Sequence, residues 1–149
     1  MKKPMVPIVF LTTLILLSGC GDDLAPLDST ITGPEDSTFT INPPGGGSHI
    51  VRAIDFKVSN AAGVALPKVE VELLAGGGGI LTDLDGNPLD PANPTYFRTR
   101  TDDRGLVRAS FLITLPDCGA ADLTVTGSVN ATVGVASDLW TATYTISKC

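Results

Sequence analysis

Residues 68–73 read KVEVEL, and their reading decides the fold. Apolar and charged side chains alternate without a slip: Val69, Val71 and Leu73 fall on one face, Lys68, Glu70 and Glu72 on the other. A period of two is the mark of a strand with one buried face. Upstream, IVRAIDFKVS (50–59) turns Ile54, Phe56 and Val58 inward and leaves Asp55 and Lys57 to water. Further back, Phe39 and Ile41 alternate with threonines in a short first strand that NPPGGGS closes. Downstream, YFRTRT (96–101) is more polar and reads as an edge strand whose arginines discourage edge-to-edge pairing. LVRASFLITL (106–115) buries Val107, Ala109, Phe111, Ile113 and Leu115. DLTVTGSV (122–129) and LWTATYTI (139–146) complete the set, the latter with Trp140, Ala142, Tyr144 and Ile146 on one face. About seven strands at this spacing predict an all-β, two-sheet sandwich.

Composition agrees. After residue 20 the chain is rich in Thr, Val, Gly and Pro and poor in Glu, Lys and Gln, which disfavours helices and suits strands joined by turns. No helical periodicity runs beyond two turns there.

The turns between the strands resemble those of the bacterial immunoglobulin-like domains repeated in invasin and intimin. Asn60-Ala61-Ala62-Gly63, then Leu66-Pro67-Lys68-Val69-Glu70-Val71-Glu72-Leu73, matches that family's Asn/Asp-x-x-Gly turn and its Pro-containing step into a Val-x-Val strand. Gly76 to Gly79 with Ile80-Leu81 meets its glycine cluster, and Thr101-Asp102-Asp103-Arg104-Gly105-Leu106-Val107 meets its Thr-Asp-x-x-Gly turn. Gly119 and Leu123-Thr124-Val125-Thr126 meet the last element. The resemblance spans about residues 38 to 147 in the right order, and implies an immunoglobulin-like sandwich used for binding or structure. Two features depart from the family: a single domain where it has tandem copies, and two extra cysteines.

Those cysteines, Cys118 and Cys149, are symmetric about position 133.5, and the turn NATVGVASD is centred on Gly134. Residues symmetric about a hairpin turn lie opposite each other, so the spacing predicts a disulfide across the final hairpin. An oxidising compartment would keep it closed.

The compartment follows from the N-terminus. Lys2 and Lys3 precede an apolar run, Val6 to Leu17, too short for a membrane span and suited to a signal peptide. It ends in Leu17-Ser18-Gly19-Cys20, which resembles the lipobox of bacterial lipoproteins. That resemblance implies cleavage before Cys20 and a covalent lipid, palmitate or its like, on the Cys20 sulfur. Two or three acyl chains give a stable hold where one is marginal. Gly21, rather than an aspartate, favours the outer membrane. The expected organisation is a leader over 1–19, an acylated cysteine and flexible linker over 20–37, and the sandwich over 38–149. Residues 21–37, acidic and dotted with Pro and Gly, read as a tether reaching roughly 20 to 25 Å.

The full chain carries a net charge of −6, and loss of the two leader lysines takes it to −8. An acidic chain without a basic cluster repels nucleic acid, so no nucleic-acid partner is expected.

Groups able to do chemistry are few. The single histidine, His49, neighbours Ser48 in a loop, and adjacency in sequence makes no triad. The glycine run 76–79 lacks the Lys-Ser/Thr of a phosphate loop. Asp83, Asp85, Asn87 and Asp90 are weak candidates for a calcium site, but Pro88 and Pro94 stand where an EF-hand loop needs glycine and glutamate. No cofactor is expected beyond the lipid. The long connection over 75–95 is the best candidate for a recognition surface, loops of that length being often functional. The expected function is a non-catalytic cell-envelope module, serving adhesion, surface display or an envelope assembly with another envelope or surface protein. The alternative is a carbohydrate-binding module, with Trp140, Tyr96 and Tyr144 as its stacking candidates, or an envelope enzyme.

Overall fold

The computed structural model of the protein describes residues 25–42 and 48–149. The leader and Cys20 lie outside the described residues, as does the first part of the expected tether. Nine strands are described: β1 (Thr30–Thr32), β2 (Ser37–Ile41), β3 (His49–Ser59), β4 (Glu70–Gly76), β5 (Ile80–Thr82), β6 (Tyr96–Arg100), β7 (Leu106–Thr114), β8 (Leu123–Val133) and β9 (Ala136–Ile146). They form an immunoglobulin-like sandwich of two sheets, ordered β1-β3-β7-β5 and β2-β9-β8-β4-β6.

The alternation read in the sequence sets the inner faces. Ile54, Phe56, Val58, Val107, Phe111 and Ile113 line the four-stranded sheet, and Val71, Leu73, Val129, Ala131, Trp140, Ala142 and Tyr144 the five-stranded one; all are buried. Phe111 meets the edge of Trp140 at 5.6 Å between ring centres, across the middle of the core. Each such large apolar side chain contributes roughly 1.5–3 kcal/mol when removed from water. YFRTR is an edge strand, with Arg98 directly opposite Glu72 on β4.

Three readings need correction. The first is the tether. Residues 25–36 are not a free linker: β1 pairs with the end of β3, Thr30 opposite Ser59, and Ile31 is buried. The chain then crosses to the other sheet at Gly33, where a Cβ would come within 2.5 Å of the Phe56 ring. Asp138 accepts the Gly33 N–H, Asp36 accepts the Thr141 N–H at 2.8 Å, and β2 runs parallel to β9. Three alternating residues within an acidic, Pro-containing stretch gave too short a pattern to see.

The second is the strand count and the connection over 75–95. It is interrupted by β5, which joins the edge of β7 and buries Leu81 completely.

The third is the register. Val133 pairs with Ala136 around Gly134-Val135, a two-residue hairpin with Gly134 at φ 56°, and the ladder ends at Leu123 opposite Ile146. The pairing is therefore two residues away from one that would set Cys118 opposite Cys149. A disulfide joins them nonetheless, Cα atoms 5.5 Å apart, beyond the end of the ladder. There the Cys149 N–H donates to Gly119 O (3.0 Å) and the Lys148 N–H to Asp122 Oδ1 (2.9 Å).

Candidate recognition surface

The segment from Gly76 to Thr95 is built in three steps. β4 leaves the five-stranded sheet at Gly76, and Gly77 and Gly78, at φ 68° and 80°, turn the chain toward the other sheet. A side chain on Gly77 would collide with the Thr126 carbonyl and one on Gly79 with the Phe111 ring. The glycine run is thus a sheet-to-sheet crossing that closes over Phe111, not a cradle for an anion. β5 follows, Thr82 opposite Ser110.

Next comes a turn at Asp83. Its Oδ1 accepts the N–H groups of Asp85 and Asn87, both at 2.9 Å, and Gly86 sits at φ 85°. The Asn87 side chain, together with those backbone donors, holds the Asp83 carboxyl below its ordinary pKa. Asp90 caps a second turn by accepting the Ala92 N–H at 2.9 Å. Backbone bonds then tie the segment to β5 and β4: Leu89 N to Leu81 O, Leu81 N to Pro94 O, and Ala75 N to Thr95 O. Asp83, Asp85, Asn87 and Asp90 are brought into one segment, but Asp83 and Asp90 face their own backbones. Among the described residues no three His, Cys, Asp or Glu side chains converge in a way that could hold a metal ion.

The pinned segment overhangs the outer face of β3 and β7. A cleft of about 340 Å³ lies beneath, lined among others by Ala53, Asp55, Thr82, Leu84, Arg108 and Ser110. Asp55 and Arg108 are opposed across the ladder, carboxylate and guanidinium 3.5 Å apart, and largely exposed. The Thr82 and Ser110 hydroxyls lie buried in its floor without a hydrogen-bond partner among the described residues. Leu84 stands at the rim, 81% exposed.

The other candidates fall elsewhere. His49 opens β3, and its Nδ1 lies 2.9 Å from Thr114 Oγ1 on the neighbouring strand. Trp140 and Tyr144 are core residues; of the three aromatics proposed to stack on sugar only Tyr96 is partly exposed, its hydroxyl accepting from Arg98 Nε at 3.2 Å. Sequence reasoning passed over Arg52, although its parity with Ile54 and Phe56 places it on the inner face of β3. There it lies 4.0 Å from the centre of the Phe39 ring, which itself stacks on Tyr144. Burial raises the Tyr144 phenol pKa, with the Arg52 guanidinium pulling the other way. It also passed over the Asp55–Arg108 pair, whose signal was the pairing of β3 with β7.

No family model matches the chain, and no curated protein does. Solved structures similar to it include the ASH/PapD-like domain 7 of human CEP192, at 10% identity and TM-score 0.43, covering 89% of this chain and 96% of that one. Another is AggA, the major subunit of aggregative adherence fimbriae type I from Escherichia coli, at 10% identity and TM-score 0.44, covering 83% and 99%.

Proposed function

We propose that the protein is a lipid-anchored cell-envelope module, non-catalytic, whose sandwich presents residues 83–95 to a protein partner. The observation that carries this reading is the construction of that segment: tied by backbone bonds to β4 and β5, it nonetheless holds an exposed Leu84 above a cleft with a charged pair. A surface ordered before binding loses little conformational entropy on association, and loops on a rigid scaffold are where recognition residues concentrate. The Leu17-Ser18-Gly19-Cys20 motif supports lipidation at Cys20, Gly21 supports an outer-membrane address, and the Cys118–Cys149 disulfide suits an oxidising envelope. The turn patterns support kinship with the invasin and intimin domains.

A photo-crosslinking residue at Leu84 in the native cell tests the reading, with the same probe at Thr38 on β2 as control. One repeatable envelope or surface protein captured at position 84 alone supports it. Equal capture at both positions, or none at 84, contradicts it. Binding to a glycan array, lost on Tyr96→Ala, would favour the carbohydrate alternative instead.

A further inference from the structure

The end of the sandwich from which the chain runs back toward Cys20 carries three exposed apolar tips. Leu27 is 91% exposed, Val135 84% and Val64 60%. They belong to separate turns that the fold brings to one end. Ala25 lies against Gly134, at 3.3 Å from where its Cβ would be, so Leu27 emerges beside the β8–β9 hairpin that displays Val135. β1 then starts with Thr30 opposite Ser59, and Ser59 bridges Ala65 next to Val64. The turn Ser29 N–H to Pro26 O (2.9 Å) and the Asn60 side chain, accepting from Ala62 and Val64, fix two of the tips in place.

Because residues 25–36 belong to the sandwich, the link to the expected lipid site is far shorter than the sequence suggests. Cys20 and Ala25 are five residues apart. Fully extended, that link spans at most about 18 Å, and the headgroup layer itself is roughly 5–8 Å thick on each side of a bilayer. The link therefore holds the domain within about 10–13 Å of the headgroup surface at its furthest, and the end that carries the link is the end that faces it. Charge gives the contact no help from anionic lipid: Asp28, Asp102 and Asp103 outnumber the exposed Lys68 and Arg104 on this end by one, and Asp22 and Asp23 stand in the link, so the apolar tips carry the contact.

We propose that this end docks on the lipid surface, Leu27, Val64 and Val135 entering the headgroup region of the anchoring leaflet. The sandwich then stands on the membrane, with the Cys118–Cys149 end outermost and the cleft under Leu84 opening sideways. Apolar tips on an acidic domain make this contact independent of anionic lipid. The proposal rests on the reading of Cys20 as the acylated residue.

The test uses the full-length acylated protein in phosphatidylcholine nanodiscs containing a headgroup nitroxide lipid, with Ala, Leu and Val methyl groups labelled for NMR. The methyls of Leu27, Val64 and Val135 should broaden, while Leu84 on the flank and Leu123 at the far end, both exposed, should not. Substituting phosphatidylglycerol for half the lipid should not strengthen the effect. In a Leu27→Asp, Val64→Asp, Val135→Asp variant the nearby Ala61 and Ala62 methyls should lose their broadening while acylation persists. Uniform broadening, none, or broadening centred on Leu123 overturns the docking. Intact mass spectrometry separates the two claims: absence of acyl chains on Cys20 defeats the anchor reading, and the docking with it, whereas acylated protein without selective broadening defeats the docking alone.

Discussion

Two five-residue turns, Asp102 to Leu106 and Asp83 to Asn87, are the same device in different surroundings. In each, the aspartate Oδ1 accepts the N–H groups two and four residues on, a glycine at the fourth position has positive φ, and the first and fifth residues exchange a backbone bond of 2.9 Å. The first joins the two sheets at one end and is packed in: a Cβ on Gly105 would lie 2.6 Å from Val58 O and 3.1 Å from Ala65. The second extends β5 over the flank, and a Cβ on Gly86 would meet nothing nearer than Leu112 at 3.7 Å. The same backbone device therefore closes the fold in one place and displays a surface in the other. Apart from the Asn87 side chain, which also donates to Asp83, what differs is what the glycine faces.

Substitutions can break that comparison. Gly105→Ala should cost the left-handed backbone penalty plus a clash, about 2–4 kcal/mol by chemical denaturation. Next is Thr101→Val, beside the packed turn. The Thr101 hydroxyl donates to Leu66 O (2.7 Å) and accepts from Val69 N (3.0 Å), bridging the chain where Lys68 has φ 59°. Losing both bonds in a buried site should cost about 1–3 kcal/mol. Gly86→Ala carries the backbone penalty alone, about 1 kcal/mol. An equal loss for Gly86→Ala and Gly105→Ala would erase the distinction between the turns.

The smallest effect sharpens the likeness. Asp102 is held below its ordinary pKa by the Leu106 and Arg104 N–H groups. Its carboxylate therefore contributes stability at neutral pH that is lost as pH falls below about 4, through the depressed value. Asn60 performs the same capping with an amide, accepting from Ala62 and Val64. Asp102→Asn should then leave neutral-pH melting nearly unchanged and flatten the acid limb of the stability profile. A melting temperature that drops at neutral pH would show that charge, not acceptor geometry, makes the turn.

The same contrast explains what the sequence disclosed. Strands β3, β4, β7 and β9 hold their alternation long enough to announce both the element and its buried face. The turns at Asn60 and Asp102 were visible because the pattern Asx-x-x-Gly has a local cause. β1 and β5 are three residues each and depend on partners roughly thirty residues away, so nothing nearby specifies them. In the sequence Asp83 reads as a candidate cation ligand because its pattern supplies oxygens at suitable spacings; only the backbone geometry shows where those oxygens point. The hairpin register is not legible from the cysteine spacing, because the loop is Gly134-Val135 and the cysteines close beyond the end of the ladder rather than within it.

A preformed recognition surface requires residues 83–95 to be ordered before any partner arrives, and native-state hydrogen exchange tests this most directly. The amides of Leu81, Asp83, Asn87 and Leu89 all have backbone or side-chain acceptors. They should exchange far more slowly than in an unfolded chain, Leu81 and Leu89 slowest. Exchange of these four at unfolded-chain rates, with β3 and β7 still protected, would mean the segment is loose and the recognition surface is not preformed.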